Sequence, residues 1–323
     1  MILGQDKAVE QFASAWGKRT LHHAWLLSGP KGVGKATFAR QAATRILADA
    51  AGPPLDLPGI ATPADHPMAK LVEAGSHPDL RWVERLEKEK GDGLARSITV
   101  KQVRELSRLF SVAPAMSDWR AVVIDSADDL EGPGANALLK MLEEPPSNCV
   151  FLLVAHSAGR LLPTIRSRCR RLDFQRLGDD VMASILETQA PDISATDRSR
   201  IIPLAGGSAG RAIAMAELKL APLEETALAI LRNGDATNAR RSSLALELGK
   251  KGAAERYAAF LDLVPPLVAA EARKLQGSKQ KRALDAYARS RELSVLAPRL
   301  SLDPAATIFQ LGGILASVGQ PLP

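Results

Sequence analysis

Five short apolar runs alternate with segments of helical periodicity in the first half of the chain. Each run is long enough for one buried strand; they are Trp25–Ser28, Leu80–Val83, Ala121–Asp125, Val150–Val154 and Arg171–Phe174. Apolar residues at helical spacing predict helices at Thr37–Ala48, Val100–Val112 and Ala135–Leu142, with Thr99 as the N-cap of the second. Strands that alternate with helices favour a parallel sheet covered on both faces. The pattern therefore predicts an α/β domain over residues 1–175.

Strand patterns nearly disappear after Asp173, and the second half of the chain predicts helices. Residues 176–220 have the pattern of a small helical unit, and residues 222–316 that of a larger one, with breaks at Pro265-Pro266 and Gly312-Gly313. We therefore expect two helical domains, over residues 176–221 and 222–323.

Two segments of the first half show neither the pattern of a strand nor that of a helix. Residues 50–67 are rich in Ala, Pro and Gly, which predicts a loop. The segment from Glu87 to Gly93 combines charged residues with glycine, which predicts an exposed turn.

The segment after the first predicted strand has the pattern of a phosphate-binding loop. It reads Gly-Pro-Lys-Gly-Val-Gly-Lys-Ala-Thr and matches G-x-x-x-x-G-K-[ST] except at Ala36, where a hydroxyl would bind Mg²⁺. Glycines let backbone N–H groups turn around an anion, and the following helix N-terminus and lysine add positive charge. The predicted nucleotide-binding residues of this degenerate loop are Gly29, Gly32, Gly34, Lys35 and Thr37. A glycine-rich turn that binds nothing is the alternative.

Thr37 belongs to that loop but does not replace the missing hydroxyl. It lies one residue after Ala36, and one step along a helix rotates a side chain by about 100°. We therefore expect any remaining nucleotide binding to depend little on Mg²⁺.

A second nucleotide-site motif lies at Val122–Asp128, an apolar strand that ends in an acid. Asp125 is the expected carboxylate on the Mg²⁺ side of the site. ATPases of this build usually place Glu next, to orient the attacking water, and here the residue is Ser126. Asp128 and Asp129 are expected to cap the next helix or to face solvent. A chain that keeps both motifs and loses their working groups indicates a partner of an ATPase.

Composition excludes few classes of protein. The chain has 323 residues, of which 46% are hydrophobic, and its net charge of +6 is mildly basic, which is compatible with nucleic acid nearby without indicating it. Cys149 and Cys169 have neither metal-ligand spacing nor the pattern of a disulfide framework. Without a signal-peptide pattern or an apolar run of 18 residues, we expect a soluble cytoplasmic protein with no membrane partner.

Several further segments resemble bacterial clamp-loader subunits of the AAA+ class in order and spacing, across roughly residues 1–175. They are Leu21-His22-His23-Ala24, Gly75-Ser76-His77-Pro78-Asp79, Asn136-Ala137-Leu138-Leu139-Lys140, Leu142-Glu143-Glu144-Pro145-Pro146 and Ile165-Arg166-Ser167-Arg168-Cys169. The combination is specific, although each piece alone is not. The resemblance implies a RecA-like AAA+ domain, a small helical lid and a C-terminal helical collar that assembles a ring. It also implies a complex that opens a sliding clamp and places it on primed DNA.

The resemblance also sets expectations for ligands. Members of this family often carry a four-cysteine zinc module before the His-Pro-Asp segment, but this chain has no cysteine there. His66 and His77 are too few to hold a tetrahedral zinc. We expect no zinc and no required cofactor, with at most weakly bound ATP or ADP. The family's first sensor corresponds loosely to His156 or Ser157.

Arg168 is the predicted catalytic residue, acting in a neighbouring subunit. A guanidinium is always charged and presents planar donors suited to phosphate oxygens. In the family, the arginine of the Ser167-Arg168-Cys169 motif reaches into a neighbour's ATP site. The alternative is an ordinary surface arginine among the other arginines of this segment. Cys169 is expected to be a small packing residue rather than a nucleophile.

The predicted function is that of a non-hydrolysing member of the clamp loader of a DNA polymerase holoenzyme. It would help to load the sliding clamp on primed DNA and would supply Arg168 to a motor subunit. Its partners would be the motor and delta subunits of a hetero-oligomeric ring. The alternative is an active AAA+ motor or helicase loader, and Ala36 and Ser126 favour the first hypothesis. A P-loop kinase would need a phospho-acceptor site, which we do not find.

Overall fold

The computed structural model describes residues 2–87 and 94–319, which divide into two compact units. The first unit holds the described residues up to Leu177, and the second begins at Gly178. Both expected helical domains fall within the second unit, so their division at residue 221 stays a prediction. Of the exposed turn predicted from Glu87 to Gly93, residues 88–93 lie outside the described residues.

The first unit alternates strands and helices. Its strands are β1 (Ala24–Ser28), β2 (Leu80–Glu84), β3 (Arg120–Asp125), β4 (Cys149–Ala155) and β5 (Arg170–Asp173). Its helices are α1 (Asp6–Gly17), α2 (Lys35–Ala51), α3 (Pro67–Glu73), α4 (Val100–Phe110), α5 (Gly132–Glu143) and the short α6 (Pro163–Arg166). All five predicted strands are confirmed to within one residue at each end.

The five strands form one parallel sheet in the order β2-β3-β4-β1-β5. β1 lies between β4 and β5, with Leu26 opposite Leu153 on one side and Arg171 on the other. Side chains alternate between two cores: Trp25 and Leu27 pack on the face covered by α1 and α2, whereas Leu26 packs on the face covered by α4 and α5. The predicted α/β class is confirmed for the first unit, and helices follow it in the chain as expected.

The helices of the first unit follow local signals that the sequence carries. Thr99 caps α4 as predicted, and its side chain and that of Gln102 form a reciprocal capping box. α1 was not predicted, although Ala8, Phe12 and Ala15 lie on its buried face at helical spacing. α3 was also missed; it is a short helix that begins with Pro67.

Among the described residues of the second unit, the regular secondary structure is all helical. Its helices are α7 (Asp179–Gln189), α8 (Ala195–Ala205), α9 (Ala209–Glu217), α10 (Ala221–Asn233), α11 (Ala239–Leu248), α12 (Ala254–Ala272), α13 (Gly277–Leu300) and α14 (Pro304–Gly319). α12 packs against α13, and α14 packs against α10, α11 and α13. Within residues 2–87 and 94–319, no helix combines the length and the apolar character that crossing a bilayer requires.

The two predicted breaks of this helical region are wrong. Pro265-Pro266 lies inside α12, where burial of Val264, Pro265 and Leu267 offsets the hydrogen bonds that the prolines remove. Gly312-Gly313 lies inside α14. Glycine is needed there, because a Cβ at Gly312 would come within 2.4 Å of the Arg241 side chain on α11. These residues therefore serve helix packing, which overrides their low helix propensity.

An arginine organises the predicted loop between α2 and α3. Arg45 is 8% exposed, and its guanidinium donates to the carbonyl groups of Leu55 (2.6 Å), Leu57 (2.9 Å) and Ala61 (3.0 Å). Its Nε donates to the Asp49 carboxylate at 2.7 Å. Asp49 in turn accepts from the Leu55 N–H at 2.8 Å. This buried network ties the loop to α2.

We expect Arg45→Met to destabilise the first unit by about 3 kcal/mol, because it removes the cation that pairs with the buried Asp49 carboxylate and the donor to three carbonyl groups. Chemical denaturation of the two variants measures this loss. Arg104→Met, which removes an exposed arginine of α4, is the matched control and should change the free energy of unfolding by less than about 0.5 kcal/mol. Equal stability of the two variants would contradict the role of Arg45.

Candidate nucleotide site

The residues predicted from the two motifs meet at the carboxyl edge of the sheet. The glycine-rich loop follows β1 and leads into α2, and Asp125 ends β3. β4 lies between these two strands, so both motifs open on the same edge. Ligands of open parallel sheets bind at such an edge.

The glycines of the loop have conformations that other residues would strain. Gly32 and Gly34 have φ angles of 77° and 97°. A Cβ at Gly29 would lie 2.4 Å from the Phe174 carbonyl oxygen, which brings the end of β5 close to the loop. A Cβ at Gly34 would lie 2.6 Å from the Ile2 side chain, so the N-terminal segment packs over the loop. These positions of the loop therefore require glycine.

Lys35 is buried and bonded to its own loop. It is 2% exposed, and its ammonium donates to the carbonyl groups of Gly29 (2.7 Å) and Pro30 (2.5 Å). Burial lowers the pKa of Lys35 to about 8, against the opposing effect of the Asp125 and Asp128 carboxylates. The Lys35 ammonium, which would bind phosphate, therefore has its hydrogen-bond acceptors within the loop itself.

The Mg²⁺ position carries a methyl group. Ala36 is partly exposed in the first turn of α2, next to Lys35. Thr37 is exposed on the helix surface one residue further on. A side chain without oxygen cannot bind the hard Mg²⁺ ion, which needs oxygen ligands.

The position after Asp125 is also occupied by a group that is already engaged. Ser126 is 4% exposed, and its hydroxyl donates to the Asp129 carboxylate at 3.0 Å. Asp129 also pairs with Arg85 at 3.1 Å. A hydroxyl held in this way is a poor general base and does not replace the carboxylate that orients water.

Asp125 lies in a negatively charged environment that the sequence analysis missed. β2 and β3 pair in register, and this places Glu84 beside Asp125. Burial raises the pKa of Asp125, the Glu84 carboxylate raises it further, and Lys35 opposes both effects. The sequence carried a signal for this, because Glu84 follows the second predicted strand directly and Asp125 is the last residue of the third.

The expectation that Asp128 and Asp129 cap a helix or face solvent is wrong. The Asp128 carboxylate accepts from the backbone N–H groups of His156 (3.0 Å) and Ser157 (3.1 Å), just beyond β4. Asp129 bonds Ser126 and Arg85 as described above. Local sequence could not reveal the bond between Asp128 and His156, because these residues are 28 positions apart and only the folded sheet brings them together.

His156 is a further residue of this site and lies at the loosely matched first-sensor position. Burial and the nearby cations Lys35 and Lys31 lower the pKa of His156 to about 4, while Asp128 opposes them. The imidazole is therefore neutral near pH 7, and it adds no charge to the site.

Arg168 lies apart from the other predicted site residues. It follows α6 and precedes β5, which runs parallel to β1, so it lies at the amino edge of the sheet, opposite the glycine-rich loop. Its side chain is 37% exposed and pairs with Glu143, the last residue of α5, at 2.7 Å. Its guanidinium also donates to the Thr164 carbonyl at 3.0 Å.

The cysteines and histidines have structural surroundings. Burial raises the pKa of both Cys149 and Cys169 to about 12, and Cys169 packs against the core as expected. The His66 side chain accepts from the Met68 N–H and caps α3, and the buried His77 ring bonds the Asp79 N–H. Residues 2–87 and 94–319 contain no group of three or more potential metal ligands.

The model of the family described as DNA polymerase III, delta subunit, matches residues 4–178. DNA polymerase III subunit delta' of Pseudomonas aeruginosa is 35% identical over 197 residues, which are 60% of this chain and 56% of that protein. Subunit delta' of Bacillus subtilis is 34% identical over 174 residues, 54% of this chain and 48% of that protein. The match therefore spans about half the length of these curated relatives.

Similarity also extends to related subunits. DNA polymerase III subunit tau of Bacillus subtilis is 30% identical over 176 residues, 54% of this chain and 29% of that protein. The crystal structure of a DNA polymerase III gamma subunit-related protein from Thermotoga maritima aligns with 97% of this chain and all of that one, at a TM-score of 0.46 and 15% identity. Since the family model covers more than half of the chain, and delta' relatives match the same region, the chain belongs to the delta' clamp-loader family of DNA polymerase III subunits.

Proposed function

We propose that this protein is a non-hydrolysing delta' subunit of a DNA polymerase III clamp loader, which helps active motor subunits to load the sliding clamp on primed DNA. One observation carries the proposal: a loop with the sequence pattern of a phosphate-binding loop, lying at the carboxyl edge of the sheet, lacks both groups that hydrolysis needs. Ala36 has no oxygen for Mg²⁺, and the Ser126 hydroxyl is bonded to Asp129. On this proposal the protein keeps the loop and the strand that carry the site and lacks the groups that would hydrolyse ATP.

The loop is stable without a nucleotide because Lys35 acts as its internal cation. To bind phosphate, the ammonium would have to exchange the carbonyl groups of Gly29 and Pro30 for phosphate oxygens. The packing of Ile2 against Gly34 adds a further obstacle at the same loop. The protein therefore requires no cofactor, and any ATP or ADP that it binds is weakly held.

Arg168 is proposed to act as an arginine finger in a neighbouring motor subunit. Its position at the amino edge of the sheet separates it from its own chain's glycine-rich loop by the length of β1. Service in the chain's own site would need a large rearrangement, whereas an edge position suits insertion into a neighbour. Glu143 and the Thr164 carbonyl hold the guanidinium in one direction before assembly.

The proposed partners follow from the family. The gamma/tau-type motor subunits and the delta subunit would form a hetero-oligomeric ring with this chain, in the cytoplasm. The sliding clamp and DNA would be met through that complex. The helical residues beyond 222 would supply the collar, because they hold long apolar helices and no group of the nucleotide site.

The purified chain should hydrolyse ATP no faster than its Lys35→Met variant. A steady-state phosphate-release assay measures the difference, and Ala36→Ser serves as a comparison that should increase Mg²⁺-dependent nucleotide binding, because it restores the oxygen ligand. A Lys35-dependent turnover of about 1 s⁻¹ would instead support the alternative of an active motor subunit.

Stability should depend on pH through Lys35 in a defined window. The folded-state pKa of about 8 lies below the unfolded value of about 10.4, so between these values only the unfolded chain keeps the proton. The stability of the wild type relative to Lys35→Met should therefore be constant below about pH 8 and rise between about pH 8 and pH 10.4. Urea denaturation across that range tests the trend, and NMR titration of the Lys35 ammonium tests the pKa directly. If the stability difference between the wild type and Lys35→Met stayed constant through pH 10, the lowered pKa of Lys35 would be contradicted.

Arg168→Ala should leave folding and assembly intact and lower the DNA- and clamp-stimulated ATPase of the reconstituted complex. An arginine finger changes hydrolysis by roughly 10³–10⁵ in GTPases, and the loss should be smaller here because other sites of the ring keep their own fingers. Arg168→Lys should restore the rate only in part, since an ammonium lacks the bidentate geometry. Arg171→Ala, an exposed arginine paired with Asp173, is the matched control and should have the wild-type rate. Wild-type activity of the Arg168→Ala complex, with assembly verified, would refute the finger.

A further inference from the structure

A cavity of about 350 Å³ opens at the amino edge of the sheet, away from the glycine-rich loop. It lies between the C-terminal end of α4, the segment before β2 and the start of β3. Its size is within the range of pockets that bind small organic groups. Nothing in the proposed function uses it.

Three arginines line this cavity. Arg81 and Arg108 are exposed, whereas Arg120 is 6% exposed. The Arg120 guanidinium donates to the Val112 carbonyl, but its Nε is buried without a hydrogen-bond partner among the described residues. A buried donor without a partner is costly, and it commonly marks a site that a ligand or water completes.

The two acidic residues of the cavity neutralise its three arginines only in part, so the lining keeps a net positive charge. Asp79 accepts from the backbone N–H groups of Ala115 (2.7 Å), Met116 (2.8 Å) and Ser117 (3.1 Å), so its oxygens are used to build one wall. Glu105 is the other carboxylate of the lining. The remaining charges favour an anion.

The rest of the lining is apolar and partly exposed. Leu109, Val112, Ala113 and Ala115 contribute to it, and Val112 is 62% exposed. Leu109 is buried and forms the inner part of this wall. The cavity therefore combines fixed positive charge with an apolar surface.

We propose that this cavity binds the free carboxyl terminus of a partner peptide whose last residue is apolar. Two guanidinium groups hold a planar carboxylate with paired hydrogen bonds, and the apolar wall takes the neighbouring side chain. A nucleic-acid strand fits less well, because its phosphodiester backbone offers no apolar group to Val112. The inference goes beyond the proposed function and does not depend on it.

The test measures binding of fluorescent peptides to the full-length protein by anisotropy. The probes are Gly-Ser-Gly-Asp-Leu with a free carboxyl terminus, the same peptide as its amide, a version that ends in Ser, and an oligothymidine of similar length. The free-acid Leu peptide should bind at least about 10-fold more tightly than its amide, because a charge-assisted pair is lost in the amide. The peptide that ends in Ser should bind more weakly than the one that ends in Leu.

Variants assign the binding to the cavity. Arg81→Gln and Arg108→Gln change exposed residues of the lining, so they should keep the fold and each weaken the free-acid peptide severalfold. Arg104→Gln, an exposed residue of α4 outside the lining, makes the same change in charge and should bind as the wild type does. Equal affinity for acid and amide, or variants that bind like Arg104→Gln, would overturn the proposal. Tighter binding of the oligonucleotide that Arg108→Gln abolishes would also overturn it and reassign the cavity to nucleic acid.

Discussion

The parallel pairing of β1 with β4 and β5 is the constraint on which the rest of the first unit depends. β1 is buried on both faces, so its residues contribute to both cores and cannot shift register without exposing apolar side chains. Parallel strands also place all their carboxyl ends at one edge. The glycine-rich loop and Asp125 lie there, and Arg168 and the arginine-lined cavity lie at the other edge. The sheet thus separates the candidate nucleotide site from Arg168 and the cavity at the opposite edge.

The polar groups around the glycine-rich loop show how such a loop can remain ordered without a bound phosphate. Without a bound phosphate, a buried lysine and several partly buried carboxylates need other partners. Lys35 finds them in the carbonyl groups of its own loop, and Ser126 joins Asp129 and Arg85 in a second small network. Asp128 binds the backbone beyond β4. These bonds within the protein maintain the local structure of the loop and its surroundings.

Arg45 has a comparable role in the segment where related proteins often carry a zinc module. A metal joins distant parts of a loop through four ligands. Here one guanidinium joins three carbonyl groups and Asp49, and it does so from a regular helix. Both devices close a loop that has no regular secondary structure of its own. The guanidinium requires no cysteine, which agrees with the composition of this segment.

The sequence by itself determined the elements whose causes are local. Apolar runs located each strand of the sheet, Thr99 marked the start of α4, and the glycine-rich loop with Lys35 predicted a candidate nucleotide site at the carboxyl edge. Spacing of motifs identified the family. Local signals also misled, since the Gly312-Gly313 break was overridden by packing against Arg241.

Tertiary structure decided the partners of the polar groups. No local pattern shows that Asp128 binds the backbone at His156, that Glu84 lies beside Asp125, or that Arg168 pairs with Glu143. The same holds for the burial of Lys35 and for the cavity beside Arg120. The physical reason is that hydrogen bonds and charges act over a few ångströms in space, and residues far apart in the sequence reach that distance only when the sheet and its two cores have formed.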